Sequence, residues 1–178
     1  MTSITTHLSN YATYHRDRRN IATHFVGIPM IVVGVEAMLA RVAVPVAGAF
    51  PFSLALVASI AAAVFYVALD RRFGLAMIAL LGAAFALGTA LAAGSLGTWL
   101  VGGVGLFAVG WVIQFVGHAF EGRKPAFADD LVGLLVGPLF VTAEVAFLLG
   151  LRPELEREIV HGAGPVRTGR LAGKHVAP

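Results

Sequence analysis

Five apolar runs set the pattern of the chain, at Phe25–Ala40, Phe52–Leu69, Leu75–Ala93, Leu96–Gly117 and Leu131–Leu151. A helix that crosses the hydrocarbon core of a bilayer needs ~20 apolar residues, and four of these runs read as such spans. The fifth carries Gly137-Pro138 in its middle, which leaves a crossing and a re-entrant hairpin equally open. The expected fold class is all-α: an integral-membrane helical bundle with four to five hydrophobic segments. It forms one domain over residues 1–160, and 161–178, rich in Gly and Pro without apolar periodicity, is expected to be a disordered tail. Gly and Ala crowd the third and fourth runs, as expected of helices that pack in lipid through small residues.

Composition supports this pattern. Of 178 residues, 58% are hydrophobic and only 13% charged, against about a quarter charged in a soluble domain, and the mean hydropathy is +0.83. The net charge of +3 does not point to nucleic acid, because the cations sit in short clusters between apolar runs without interleaved aromatic platforms. Arg16, Arg18 and Arg19, then Arg71 and Arg72, then Arg123 and Lys124 mark alternate loops. By the positive-inside rule these loops are expected on the cytoplasmic side. No cleavable signal peptide is expected, since a long mixed segment precedes the first apolar run.

The absence of cysteine leaves imidazole, carboxylate and backbone oxygen as the only metal ligands. His161 and His175 lie in or beside the expected tail and His7 has nothing apolar or polar gathered around it, so all three read as bystanders. His15, His24 and His118 are all placed by the topology at one end of the bundle. Gln114, His118 and Glu121 share a helical face, while Asn20 and His24 share another. In one straight helix His15 and His24 would point apart, so a common site requires a break between them, for which Asn20 is a candidate. Glu36 and Glu144 lie inside apolar runs, where an ionisable group is expensive. Glu36 has Arg41 nearby as a partner, whereas Glu144 has no nearby cation. Imidazole and carboxylate suit iron(II), zinc or manganese alike.

At these residues the sequence resembles a known family. The spaced His15, Asn20 and His24 followed by "GIP", then "QFVGHAFEGRKPA", then "VGPLFVTAEVAFLLGLRPEL" at 136–155, look like the Mpo1-like family, also described as domain of unknown function 962. The resemblance covers most of residues 11–155, and the segment 40–110 matches only in being hydrophobic. It implies an Fe2+-dependent dioxygenase that uses O2 to shorten 2-hydroxy fatty acids by one carbon in α-oxidation, embedded in a lipid bilayer. It implies His15, His24 and His118 as metal ligands, with Glu121 and Glu144 as supporting catalytic residues. Arg123 and Lys124 are candidates to receive the substrate carboxylate. The Ala-, Gly-, Val- and Arg-rich composition favours a bacterial inner membrane. Two alternatives remain: a zinc-dependent membrane hydrolase, which the same ligands permit, and a non-catalytic transporter or assembly protein. A transporter, however, would be expected to keep its ionisable groups near mid-membrane rather than at one edge.

Overall fold

The computed structural model describes residues 3–44 and 52–168. Seven helices form the described chain, α1 (Ile4–Ala12), α2 (Arg18–Ala40), α3 (Leu54–Leu69), α4 (Arg71–Ala93), α5 (Leu96–Glu121), α6 (Gly133–Leu148) and α7 (Pro153–Ala163). The only sheet among the described residues pairs β1 (Ala43–Val44) with β2 (Phe52–Ser53) in antiparallel register. Helices α2, α4 and α5 are each long and apolar enough to cross a membrane. Helix α3, at 16 residues, spans ~24 Å, a little less than the ~30 Å core.

Helix ends follow local chemistry. Asp17 caps α2 by accepting the Arg19 N–H at 2.9 Å, and Asp70 caps α4 by accepting the N–H groups of Arg72 and Phe73 at 2.9 and 3.0 Å. Such caps satisfy amide donors that have no partner within the helix. Helix α5 stops at Glu121 because Gly122 takes φ +69° and returns its N–H to the His118 carbonyl at 3.0 Å, a conformation that glycine adopts without strain.

The tightest helix pair is α2 against α5, packed antiparallel. Gly27 and Gly34 of α2 meet Gly103, Gly110 and Gly117 of α5, glycines that recur every seventh residue on both helices. A Cβ on Gly110 would lie 2.8 Å from the Gly27 carbonyl oxygen, and one on Gly117 would lie 2.6 Å from Asn20 Oδ1. The two backbones therefore approach as only glycine allows, and this contact sets His24 and His118 against each other.

The fifth apolar run differs from both sequence expectations in detail. Helix α6 runs unbroken through Pro138, so Gly137-Pro138 is not the turning point. The chain turns instead after Leu148, with α6 and α7 inclined at 119°. Both ends of this arm sit at the same end of the bundle. It leaves α5 at Glu121 and comes back through Arg167, whose guanidinium pairs with Glu121 and whose main chain bonds Arg16 and Arg18. Arg152 also pairs with Asp70 of the α3–α4 turn at 2.9 Å. The arm thus starts and finishes at the end where α2 begins. The expected tail is likewise part of the fold up to Thr168: α7 continues to Ala163, and Arg167 forms a bridge with Asp17. The remainder, 169–178, lies outside the described residues.

Glu36 does not pair with Arg41. It is buried and accepts the Ser59 hydroxyl at 2.7 Å. Arg41 instead lies over the Trp99 ring at 4.8 Å and reaches the Gly94 carbonyl.

Candidate metal centre

Three histidines from three elements converge beneath the folded-back arm. His24 comes from the first turns of α2 and His118 from the last turn of α5, and the glycine seam holds the two face to face. His15 arrives from the linker between α1 and α2. The helix breaks at residues 13–17 rather than at Asn20, and this break removes the angular objection to a common site. Ring centroids are 4.4 Å apart for His15 and His24, 4.9 Å for His15 and His118, and 5.3 Å for His24 and His118. One ring nitrogen from each can be chosen so that all three lie within 4.8 Å of one another.

All three are buried, at 0%, 2% and 6% exposure for His15, His24 and His118. Their outer hydrogen bonds fix which nitrogen faces inward. His15 donates Nδ1–H to the Tyr11 carbonyl at 2.7 Å and His24 donates Nδ1–H to the Asn20 carbonyl at 2.9 Å. Metal-bound imidazoles are commonly held this way, the second nitrogen anchored to a carbonyl. What remains is unpaired: His15 Nε2 and His118 Nδ1 are buried without a partner. A buried polar atom left unsatisfied costs about 1–3 kcal/mol. Several at one point make sense if they converge on a ligand. Burial, with the neighbouring His24 adding to it, holds the His15 imidazole well below its ordinary range, so it stays neutral and its lone pair is free.

The supporting residues divide. Glu121 is nearby but not a member of the histidine group. Its side chain is 1% exposed, and it accepts the Arg16 N–H at 3.0 Å, the Asp17 N–H at 2.8 Å and the Asn20 amide at 3.1 Å. It thus ties the α1–α2 corner to the end of α5. Glu144 is not brought to the histidines. It lies 3.8 Å from the Arg16 guanidinium in a separate groove with Arg18, Phe147 and Glu156, because α6 climbs to the mouth where a cation can reach it. Arg123 and Lys124 are also elsewhere. Arg123 donates to the Thr13 carbonyl at 3.1 Å and Lys124 pairs with Asp129, so both hold the 122–132 loop in place.

Beside the histidines lies a cavity of about 70 Å³ lined by His24 and His118, by Tyr11, Trp111 and Gln114, and otherwise by apolar and loop residues. Its lining among the described residues includes no lysine or arginine. Two of its groups escaped the sequence reading. Tyr11 stacks on His15 at 4.1 Å with ring planes 7° apart, and burial raises its phenol so that it stays protonated. Gln114 had been placed on the His118 face, and its buried amide has neither nitrogen nor oxygen paired. The i, i+4 spacing to His118 was the available signal; the missing partner was not.

Fold and site together define a helical membrane bundle with a buried cluster of three imidazoles at one end, open to a small pocket with an unpaired amide. The chain belongs to the Mpo1-like family, whose model, described as 2-hydroxy-palmitic acid dioxygenase Mpo1-like, matches residues 1–149. It is similar to the 2-hydroxy-palmitic acid dioxygenase MPO1 of Saccharomyces cerevisiae, with 35% identity over 156 residues and 86% of each chain covered. No solved structure matches it.

Proposed function

We propose that this protein is an iron(II)-dependent dioxygenase that shortens 2-hydroxy fatty acids by one carbon. The observation that carries the reading is the cluster of three buried imidazoles, with His15 Nε2 and His118 Nδ1 left unpaired, next to a pocket in which Gln114 is also unpaired. The yeast relative supplies the substrate class by its name. The donor set fits the metal: three imidazoles, no thiolate, and coordination positions left over. Bound there, iron(II) would supply the redox capacity to use O2 and a Lewis-acidic site for the 2-hydroxy carboxylate.

The residues of the chain do the rest. His15, His24 and His118 hold the centre, with His15 and His24 oriented by their main-chain carbonyl partners. Gln114 offers one donor and one acceptor to the hydroxyl and carboxylate of the substrate head, and the Tyr11 phenol offers a further donor from the same wall. The folded-back arm excludes bulk water. The conversion balances as 2-hydroxy acid plus O2 giving the acid one carbon shorter, CO2 and water, so no external reductant is needed. A zinc hydrolase would use the same ligands but would need no oxygen.

The test is protein purified without chelators, with metal analysis and with O2 uptake and CO2 release measured on 2-hydroxypalmitate. Expected are iron at the site and equal amounts of O2 consumed and CO2 released. Activity retained under anaerobic conditions with zinc alone would defeat the reading. We further place the histidine end on the cytoplasmic side, because Arg18, Arg71, Arg72 and Arg123 gather there. The yeast source of the relative gives no support to a bacterial inner membrane in particular. Single cysteines at positions 18 and 123 should react with an impermeant reagent only after the cytoplasmic face is opened to it, and labelling of either from outside would overturn the orientation.

A further inference from the structure

The cavity at the histidines, about 70 Å³, holds a polar head and little more, since pockets that enclose a ligand of moderate size run to ~300–1,000 Å³. A long acyl tail must therefore leave it, and two exits adjoin. One, past Tyr11, Ala126 and Gly133, opens into a vestibule of about 260 Å³ lined by His7, Asn10, Thr13, Tyr14, Asp129 and Asp130. The other, past Ile28, Val32 and Pro138, opens into a groove of about 500 Å³ between α2, α4 and α6. Apart from Thr142, the lining side chains of that groove are all apolar. The Thr142 hydroxyl is already spent on the Pro138 carbonyl at 2.9 Å, so the groove makes no polar demand.

We propose that the α2–α4–α6 groove is the binding site for the acyl tail of the substrate, entered from the histidine pocket between Ile28, Val32 and Pro138. This rests on the 2-hydroxy fatty acid reading above. An amphiphile divides between the two exits by solvation: burial of each CH₂ away from water is favourable, and the second exit offers a wall that is apolar but for Thr142. The vestibule, with Asn10, Thr13, Asp129 and Asp130 in its lining, suits water. The groove also faces the lipid, so the tail can enter sideways from the bilayer while the head moves inward to Gln114. Chain-length preference then depends on α4, none of whose residues lines the histidine pocket.

Two measurements test this in proteoliposomes. Ala83 lines the groove and is exposed within it, so Ala83→Trp should fill space without disturbing the core. It should lower the ratio of kcat/KM for 2-hydroxypalmitate over 2-hydroxyhexanoate by roughly tenfold or more. Leu75→Trp, on the outer face of the same helix, should leave the ratio near that of the unmodified protein. Equal shifts in both variants, or none in Ala83→Trp, would overturn the proposal. Independently, a 2-hydroxy acid with a diazirine at its tail end should crosslink the unmodified protein at Leu80–Leu87 of α4 or Val141–Val145 of α6, and unlabelled 2-hydroxypalmitate should compete. Adducts around Tyr14 and Asp129, or on the outer face without competition, would also overturn it. Competed crosslinks in the groove without any turnover would instead defeat the dioxygenase reading and leave the groove assignment standing.

Discussion

His24→Ala is expected to abolish metal binding while leaving the fold intact. Of the three proposed ligands His24 is fixed most firmly, held by the Asn20 carbonyl at 2.9 Å and by the glycine seam between α2 and α5. Loss of one of three donors should exceed the roughly 10–100-fold that removal of a supporting group costs. The unfolded chain cannot assemble these three imidazoles, so metal at a hundredfold excess over its Kd should stabilise the unmodified protein by about 2.7 kcal/mol. That metal-dependent rise in Tm should vanish in His24→Ala. The metal-free variant should melt close to the metal-free parent, since the substitution also removes a polar ring from a crowded, partly unsatisfied centre. Glu144→Gln is the matched control. Glu144 meets Arg16 rather than the histidines, so its amide should keep full metal content and turnover. A His24→Ala protein that still gains stability from iron would refute the single-site assignment, and a metal-free Glu144→Gln would return that residue to the site.

The sequence disclosed the site unevenly, for physical reasons. His24 and His118 were legible because positive loops and apolar runs bring them to one end, and the structure adds only the glycine seam that closes the gap. His15 looked doubtful because the break that a common site requires was sought at Asn20. Asp17, a good capping residue ahead of α2, was the overlooked sign that the helix starts afresh at Arg18. Glu144 drew attention because its own run holds no cation, whereas the fold sets the Arg16 guanidinium 3.8 Å from it. The arm that carries it is closed by the return of Arg167 to Glu121, a contact between residues 46 apart that no local pattern announces. Arg123 and Lys124 were the candidates to receive the carboxylate, yet Arg123 donates to the Thr13 carbonyl at 3.1 Å and Lys124 pairs with Asp129. Charge can be read from sequence, but which backbone oxygen claims it cannot. Tyr11 and Gln114 were ordinary residue types in ordinary places until the pocket they line was visible.

Glu121→Gln is expected to weaken metal binding by roughly 10–100-fold without changing the ligands. One carboxylate oxygen accepts from the Arg16 and Asp17 amides and the Asn20 side chain, while the other faces the Arg167 guanidinium. A carboxylate has acceptor sites for all of these. A carboxamide keeps a single oxygen and turns an NH₂ toward a donor, so at least one buried N–H loses its partner, at about 1–3 kcal/mol. The corner that weakens joins α1 to α2, and it carries His15, whereas His24 and His118 sit on helices locked by glycine. Binding should therefore become weaker while remaining specific. With cobalt(II) as a spectroscopic probe, Glu121→Gln should show the parental ligand-field bands at saturating metal, while His24→Ala should not. Arg167→Gln, which spares the three donors on the first oxygen, should cost less than Glu121→Gln. Parental affinity in Glu121→Gln would mean that the corner holds without its carboxylate. An altered cobalt spectrum would instead make Glu121 a ligand, and the centre a mixed imidazole–carboxylate site.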